Sequence, residues 1–140
     1  MKNKMTVKFD SISENESFAR NVIASFLMPL NPNVSVLSDV KTAVSEAVTN
    51  CIVHGYPEKT GEVTMSAEIE DGTIHIVISD KGVGIANLEA ALQPFYTSRP
   101  EDERSGMGFT IIKTFMDEVK VVSEPLKGTV VDMKKLITVA

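Results

Sequence analysis

Val63 to Asp80 reads VTMSAEIEDGTIHIVISD, and its pattern decides the fold. Val63, Met65, Ala67 and Ile69 alternate with polar neighbours, Asp71-Gly72 supplies a turn, and Ile74, Ile76 and Ile78 alternate again. Period-two alternation on both sides of an Asp-Gly pair predicts a β-hairpin with one buried face. A second hairpin is predicted near the C-terminus, Val119 to Val122 and Val130 to Ile137, turning at Pro125-Leu126-Lys127-Gly128. At the N-terminus, Met5, Val7 and Phe9 alternate as a short edge strand.

Helical periodicity separates these strands. Ser13-Glu14-Asn15-Glu16 has the pattern of a capping box, the Ser13 hydroxyl taking a free N–H and Glu16 reaching back. Phe18, Val22, Ile23 and Phe26 form the stripe of a first helix that Pro29 ends. Leu37, Val40, Val44, Ala47 and Cys51 recur at spacings of three and four, on one face of a second helix that Gly55 and Pro57 stop. A short helix opens at Asn87, and Phe109, Ile111, Ile112, Phe115 and Met116 mark a third long one. Hairpins with helices inserted between them predict an α+β two-layer sandwich, a mostly antiparallel mixed sheet with helices on one face.

The chain has 140 residues and no internal repeat, which fits one domain over 1–140. A domain of this size buries roughly 68–70% of its unfolded surface, enough for a core without staples. Cys51 is the single cysteine, so a disulfide framework is excluded and the residue is read as a small buried hydrophobe. No apolar region follows the first residues and no run is long enough to span a bilayer, so a soluble cytoplasmic protein with no membrane partner is expected. A formal net charge of −5 gives no basic footprint for nucleic acid, and a protein partner is expected instead.

Three strings carry chemistry. Glu46, Asn50 and His54 stand at i, i+4 and i+8, a polar stripe roughly 110° from the centre of the apolar face. By itself this is the solvated flank of an amphipathic helix. It also fits phosphoryl transfer: an Asn oxygen can complete the shell of a Mg²⁺ held by phosphates, since Mg²⁺ takes only one or two protein ligands. A carboxylate ~5 Å from a phosphate charge costs about 3 kcal/mol at an effective dielectric of 20, so Glu46 belongs where a nucleophile approaches, the position of a general base. His54 either orients phosphate or caps the helix C-terminus.

Asp80 ends the alternating strand and precedes Gly82 and Gly84. A carboxylate there can accept from the exocyclic amine of adenine, with the glycines letting the ring approach, although an Asp-initiated turn uses the same residues. Asn87 stands where a dinucleotide fingerprint has its third glycine. Ser105-Gly106-Met107-Gly108 opens the Phe109 helix, where free N–H groups suit a triphosphate, and no Gly-Lys-Ser/Thr follows as in a Walker A loop. Arg104 precedes these glycines as a candidate for the γ-phosphate, and Thr129 offers a hydroxyl to the adenine edge. The long segment from Lys81 to Ser105 is the element expected to differ between nucleotide states.

Taken together, Glu46…Asn50, Asp80-x-Gly82-x-Gly84, Gly106-x-Gly108 and Gly128-Thr129 resemble the nucleotide boxes of the gyrase, Hsp90, histidine-kinase and MutL ATP-binding superfamily. Ser45 to Asn50, His54-Gly55-Tyr56, Ser105 to Thr110 and Phe115 to Val119 further resemble the anti-sigma-F factor family of endospore-forming bacteria. The resemblance implies a Bergerat-type fold and a dimeric protein serine kinase. Such a kinase holds a sporulation sigma factor inactive in the ATP state and phosphorylates a serine of an anti-anti-sigma factor. It implies ATP/ADP and Mg²⁺ as cofactors, Glu46 as catalytic base, Asn50 as metal ligand, Asp80 as adenine reader, and Arg104, Ser105, Gly106, Met107 and Gly108 as the phosphate lid. Arg20, on the first helix near an apolar rim, is a candidate partner contact. The alternatives are a general-stress anti-sigma kinase and a nucleotide-gated binding protein without transfer chemistry. A detached histidine-kinase domain fits less well, because the only histidines are His54 and His75.

Overall fold

A computed structural model describes residues 1–92 and 108–140. The strands are β1 (Asn3–Asp10), β2 (Glu62–Glu70), β3 (Thr73–Asp80), β4 (Glu118–Glu124) and β5 (Gly128–Leu136). They form one sheet in the order β1-β2-β3-β5-β4. Among the described residues every strand pairing is antiparallel. The helices are α1 (Glu14–Leu27), α2 (Val34–Asn50), the single turn α3 (Leu88–Ala91) and α4 (Gly108–Phe115).

The β2–β3 hairpin closes on Asp71 and Gly72, with φ of 53° and 75°. Two successive positive φ values are what a type I′ turn demands, and they lock the register Glu70↔Thr73. Met65, Ile69, Ile74, Ile76 and Ile78 are thereby fully buried under the helices. Each such side chain contributes on the order of 1.5–3 kcal/mol. The opposite face carries Lys4, Thr6, Lys8, Glu68 and Lys134, the alternation expected of an antiparallel sheet with one face in water. On it His75 Nε2 meets Asp132 Oδ1 at 2.7 Å across β3 and β5.

Helix α2 lies between α1 and α4, burying Val36, Val40, Val44, Ala47 and Val48. Its N-cap is Asn33, whose side chain accepts from Val36 N–H at 2.8 Å. The first helix begins otherwise than expected. Ser13 is itself helical and makes no cap bond; its hydroxyl donates to Glu14 Oε1 at 2.8 Å, while Glu16 pairs with Arg20 at 3.0 Å. A capping box needs an extended N-cap residue, which Ser13 is not. Pro29 falls in a 3₁₀ turn, Met28–Leu30, directly after α1.

The C-terminus of α4 is held by Lys135. Its ammonium donates to Phe115 O at 2.6 Å and lies 3.8 Å from Asp39 Oδ2 and 3.9 Å from Asp117 Oδ1. One side chain thus joins α2, α4 and β5.

Candidate nucleotide site

The α-helical winding of α2 stops at Asn50, and Cys51–Gly55 continue as a π turn closed by Tyr56 N–H on Cys51 O at 3.0 Å. Such wider turns recur at functional sites. Glu46 and Asn50 keep their i, i+4 relation and are both half-buried. They share a flank with Asp39, seven and eleven residues earlier, and Asp39 meets the lysine that caps α4. His54 is half-buried but sits in the π turn, so it departs from the α-helical stripe expected for it. The Asn50 Nδ2 is buried without a hydrogen-bond partner among the described residues. An orphan donor of this kind costs about 1–3 kcal/mol until something accepts from it.

Asp80 ends β3 and is only 6% exposed. Its Oδ1 accepts from Gly82 N–H at 2.9 Å, the Asp-initiated turn that the sequence allows. Burial raises its pKa above the ordinary carboxylate value; donation from Gly82 N–H, the Cys51 thiol and the Thr129 backbone opposes this without cancelling it. Cys51 is more than the packing residue expected. Its thiol, itself pushed well up by burial, hydrogen-bonds the Asp80 carboxylate.

Glycines make this arrangement possible. A Cβ on Gly55 would lie 2.8 Å from Asp80 Cγ, and one on Gly82 would lie 1.8 Å from Gly55 O. Gly84 has φ of +72°, and an added Cβ there would meet Glu124 O at 2.1 Å. A side chain at Gly82 or Gly84 would therefore run into a protein carbonyl. The loop's amides are also spoken for. Lys81 N–H donates to the Tyr56 hydroxyl, Gly82 N–H to Asp80, Val83 N–H to Gly55 O at 2.9 Å and Ile85 N–H to Ser123 Oγ at 2.8 Å. Those four bonds tie the loop to Tyr56, Asp80, Gly55 and Ser123.

Thr129 pairs directly with Asp80 across β3 and β5, and its Oγ1 lies 2.8 Å from Ser123 Oγ. The structure thus gathers His54, Asp80, Gly82, Gly84 and Thr129 around the π turn and the ends of β3 and β5, with Asn50 and Glu46 one and two turns back along α2. Gly108 is the first described residue of α4 and is buried. Arg104, Ser105, Gly106 and Met107 lie outside the described residues.

The chain is similar to known proteins over nearly its whole length. Residues 12–135 match the sequence model of the histidine kinase-like ATPase domain. The anti-sigma F factor of Geobacillus sp. (strain WCH70) is 55% identical over 139 residues, 99% of this chain and 95% of the relative. That of Clostridium acetobutylicum is 56% identical over 135 residues, 96% and 94% of the two chains. The chain belongs to the anti-sigma F factor family. Among solved structures, the RsbU and RsbW domains of a Mycobacterium tuberculosis protein superpose with a TM-score of 0.69 at 16% identity, covering 96% of this chain and 32% of that one. The nucleotide-free catalytic domain of the histidine kinase ThkA gives 0.59 at 15% identity, covering 96% and 97%. These two likenesses concern the fold, the α+β sandwich expected.

For an anti-sigma F family member the site residues that the sequence left unassigned are Tyr56 and Ser123, and it read Gly55 only as a helix stop. The His54-Gly55-Tyr56 string was the one visible signal for Gly55 and Tyr56, and Ser123 had none. Arg20 lies partly exposed on α1, paired within its own helix to Glu16 at 3.0 Å. No helix among the described residues is long and apolar enough to cross a membrane.

Proposed function

We propose that this anti-sigma F family protein binds Mg-ATP, sequesters a sporulation sigma factor in the ATP-bound state, and transfers the γ-phosphoryl group to a serine of an anti-anti-sigma factor. The observation that carries the reading is the packing of buried Asp80 against the π turn that prolongs α2, with an acid, Glu46, and an Nδ2 donor, Asn50, that has no partner among the described residues in the last turns of that helix. Asp80 accepts from the adenine amine, and Thr129 borders the same edge. Asn50, whose Nδ2 lacks a partner among the described residues, faces the phosphates; its oxygen would hold a Mg²⁺, which neutralises phosphate charge when bound. Among the described residues no group of three His, Cys, Asp or Glu could hold a metal ion. Phosphate oxygens and water would complete the shell of a bound Mg²⁺, which takes only one or two protein ligands.

Glu46 acts as the base. The serine oxygen forms a bond to the γ-phosphorus as the bridging P–O bond to ADP breaks, and the serine proton passes to the Glu46 carboxylate. Arg104 and the Ser105 to Gly108 segment contact the phosphates in this reading, and Arg20 contacts a protein partner. The protein works as a homodimer in the cytoplasm.

Glu46→Gln tests the assignment. It keeps size and loses basicity, so transfer should fall by ~10²–10⁴ while Mg-ATP affinity stays within about twofold. Equal loss of both would make Glu46 a structural residue.

A further inference from the structure

We infer that Tyr56 is the positioning residue of the base-reading carboxylate, its hydroxyl fixing the peptide that follows Asp80; this rests on reading Asp80 as the contact to the adenine amine. The Tyr56 hydroxyl donates to Glu62 O at 2.7 Å and accepts from Lys81 N–H at 2.8 Å, so it ties the first residue of β2 to the residue after β3. The Lys81 N–H belongs to the same planar peptide as the Asp80 carbonyl. Holding that N–H sets the plane, and with it the backbone rotation that aims the Asp80 side chain.

The ring has little freedom of its own. Tyr56 is 6% exposed, and a Cβ on Gly61 would fall 2.2 Å from its Cε1, so the ring lies flat on the Gly61 backbone. Its main chain closes the π turn on Cys51 O at 3.0 Å. One residue therefore sets the π turn with its backbone and the acceptor loop with its side chain. A carboxylate that recognises a base through one amine needs this support, because reading groups work only when held within ~0.5 Å of the productive position.

The test compares ADP with its 6-desamino analogue, which lacks the amine, in wild type and Tyr56→Phe, by calorimetry. The wild type should prefer ADP. Tyr56→Phe should lose ~5–10-fold in ADP affinity and less than about twofold for the analogue, so that the preference shrinks. A merely structural role would weaken both ligands alike and leave the preference whole, which would overturn the inference. A wild type with no preference would overturn base reading by Asp80 itself. Should Tyr56→Phe fail to fold, amide exchange of the wild type decides: a protected Lys81 N–H without nucleotide supports the bridge, and fast exchange there contradicts it.

Discussion

The Gly55 Cα faces the Asp80 carboxylate so closely that a single added methyl would stand 2.8 Å from Cγ, Oδ2 and, at 2.9 Å, Oδ1. Gly55 does not have a positive φ, so alanine suits its backbone, and the nearest obstacle is Asp80. Gly55→Ala should cost about 1–3 kcal/mol of stability through overpacking and displace the carboxylate. Combined with Asp80→Ala, the same change should cost much less than alone. Urea unfolding of the four proteins of this cycle measures the coupling, and simple additivity would show the contact to be unimportant.

Asp80 also makes a pH prediction. Burial raises its folded-state pKa above the unfolded value, so the folded protein holds this proton more readily than the unfolded chain. The resulting stabilisation is fully present below the ordinary carboxylate pKa and is lost as pH rises through the raised folded value. Asp80→Asn removes that titration. Its stability should decline less over this pH window than that of wild type, as read by urea unfolding at a series of pH values, while adenine-nucleotide affinity falls by roughly 10–100-fold.

Lys135 predicts a change in stability without a change in chemistry. Its side chain is 13% exposed and caps α4 through Phe115 O while meeting Asp39 and Asp117. Lys135→Met keeps the aliphatic stem and removes the charge-assisted bond, and should lower unfolding free energy by about 1–3 kcal/mol. An unchanged midpoint would mean that water replaces the ammonium at no cost.

Most of the architecture was legible in the sequence because it rests on periodicity. Ile74, Ile76 and Ile78 can face only one side of a strand, and Asp71-Gly72 admits one tight turn between the flanking strands. The failures are tertiary or geometric. Ser13 and Glu16 have the right letters for a capping box, but Arg20 draws Glu16 along the helix and Ser13 adopts helical angles. Nothing in Cys51 to Gly55 distinguishes a π turn from an α turn, since the wider winding answers to what Gly55 must meet across the fold. For the same reason Asp80 was visible as a strand-end acid, whereas its partners Cys51, Gly55 and Tyr56 come from another element and were not. Gly82 and Gly84 were noticed for their spacing, but their close neighbours Gly55 O and Glu124 O are long-range contacts that no local motif encodes.

The central claim is phosphoryl transfer, and one measurement reaches it directly. The purified protein is mixed with Mg-ATP and the anti-anti-sigma factor of the same genome, and the intact mass of that partner is followed and the modified residue located. The account predicts one added phosphoryl group on a single serine, formed by wild type and not by Glu46→Gln. Bound ATP with no change in the partner's mass would contradict it, leaving a nucleotide-gated clamp in which Glu46 has no chemical role.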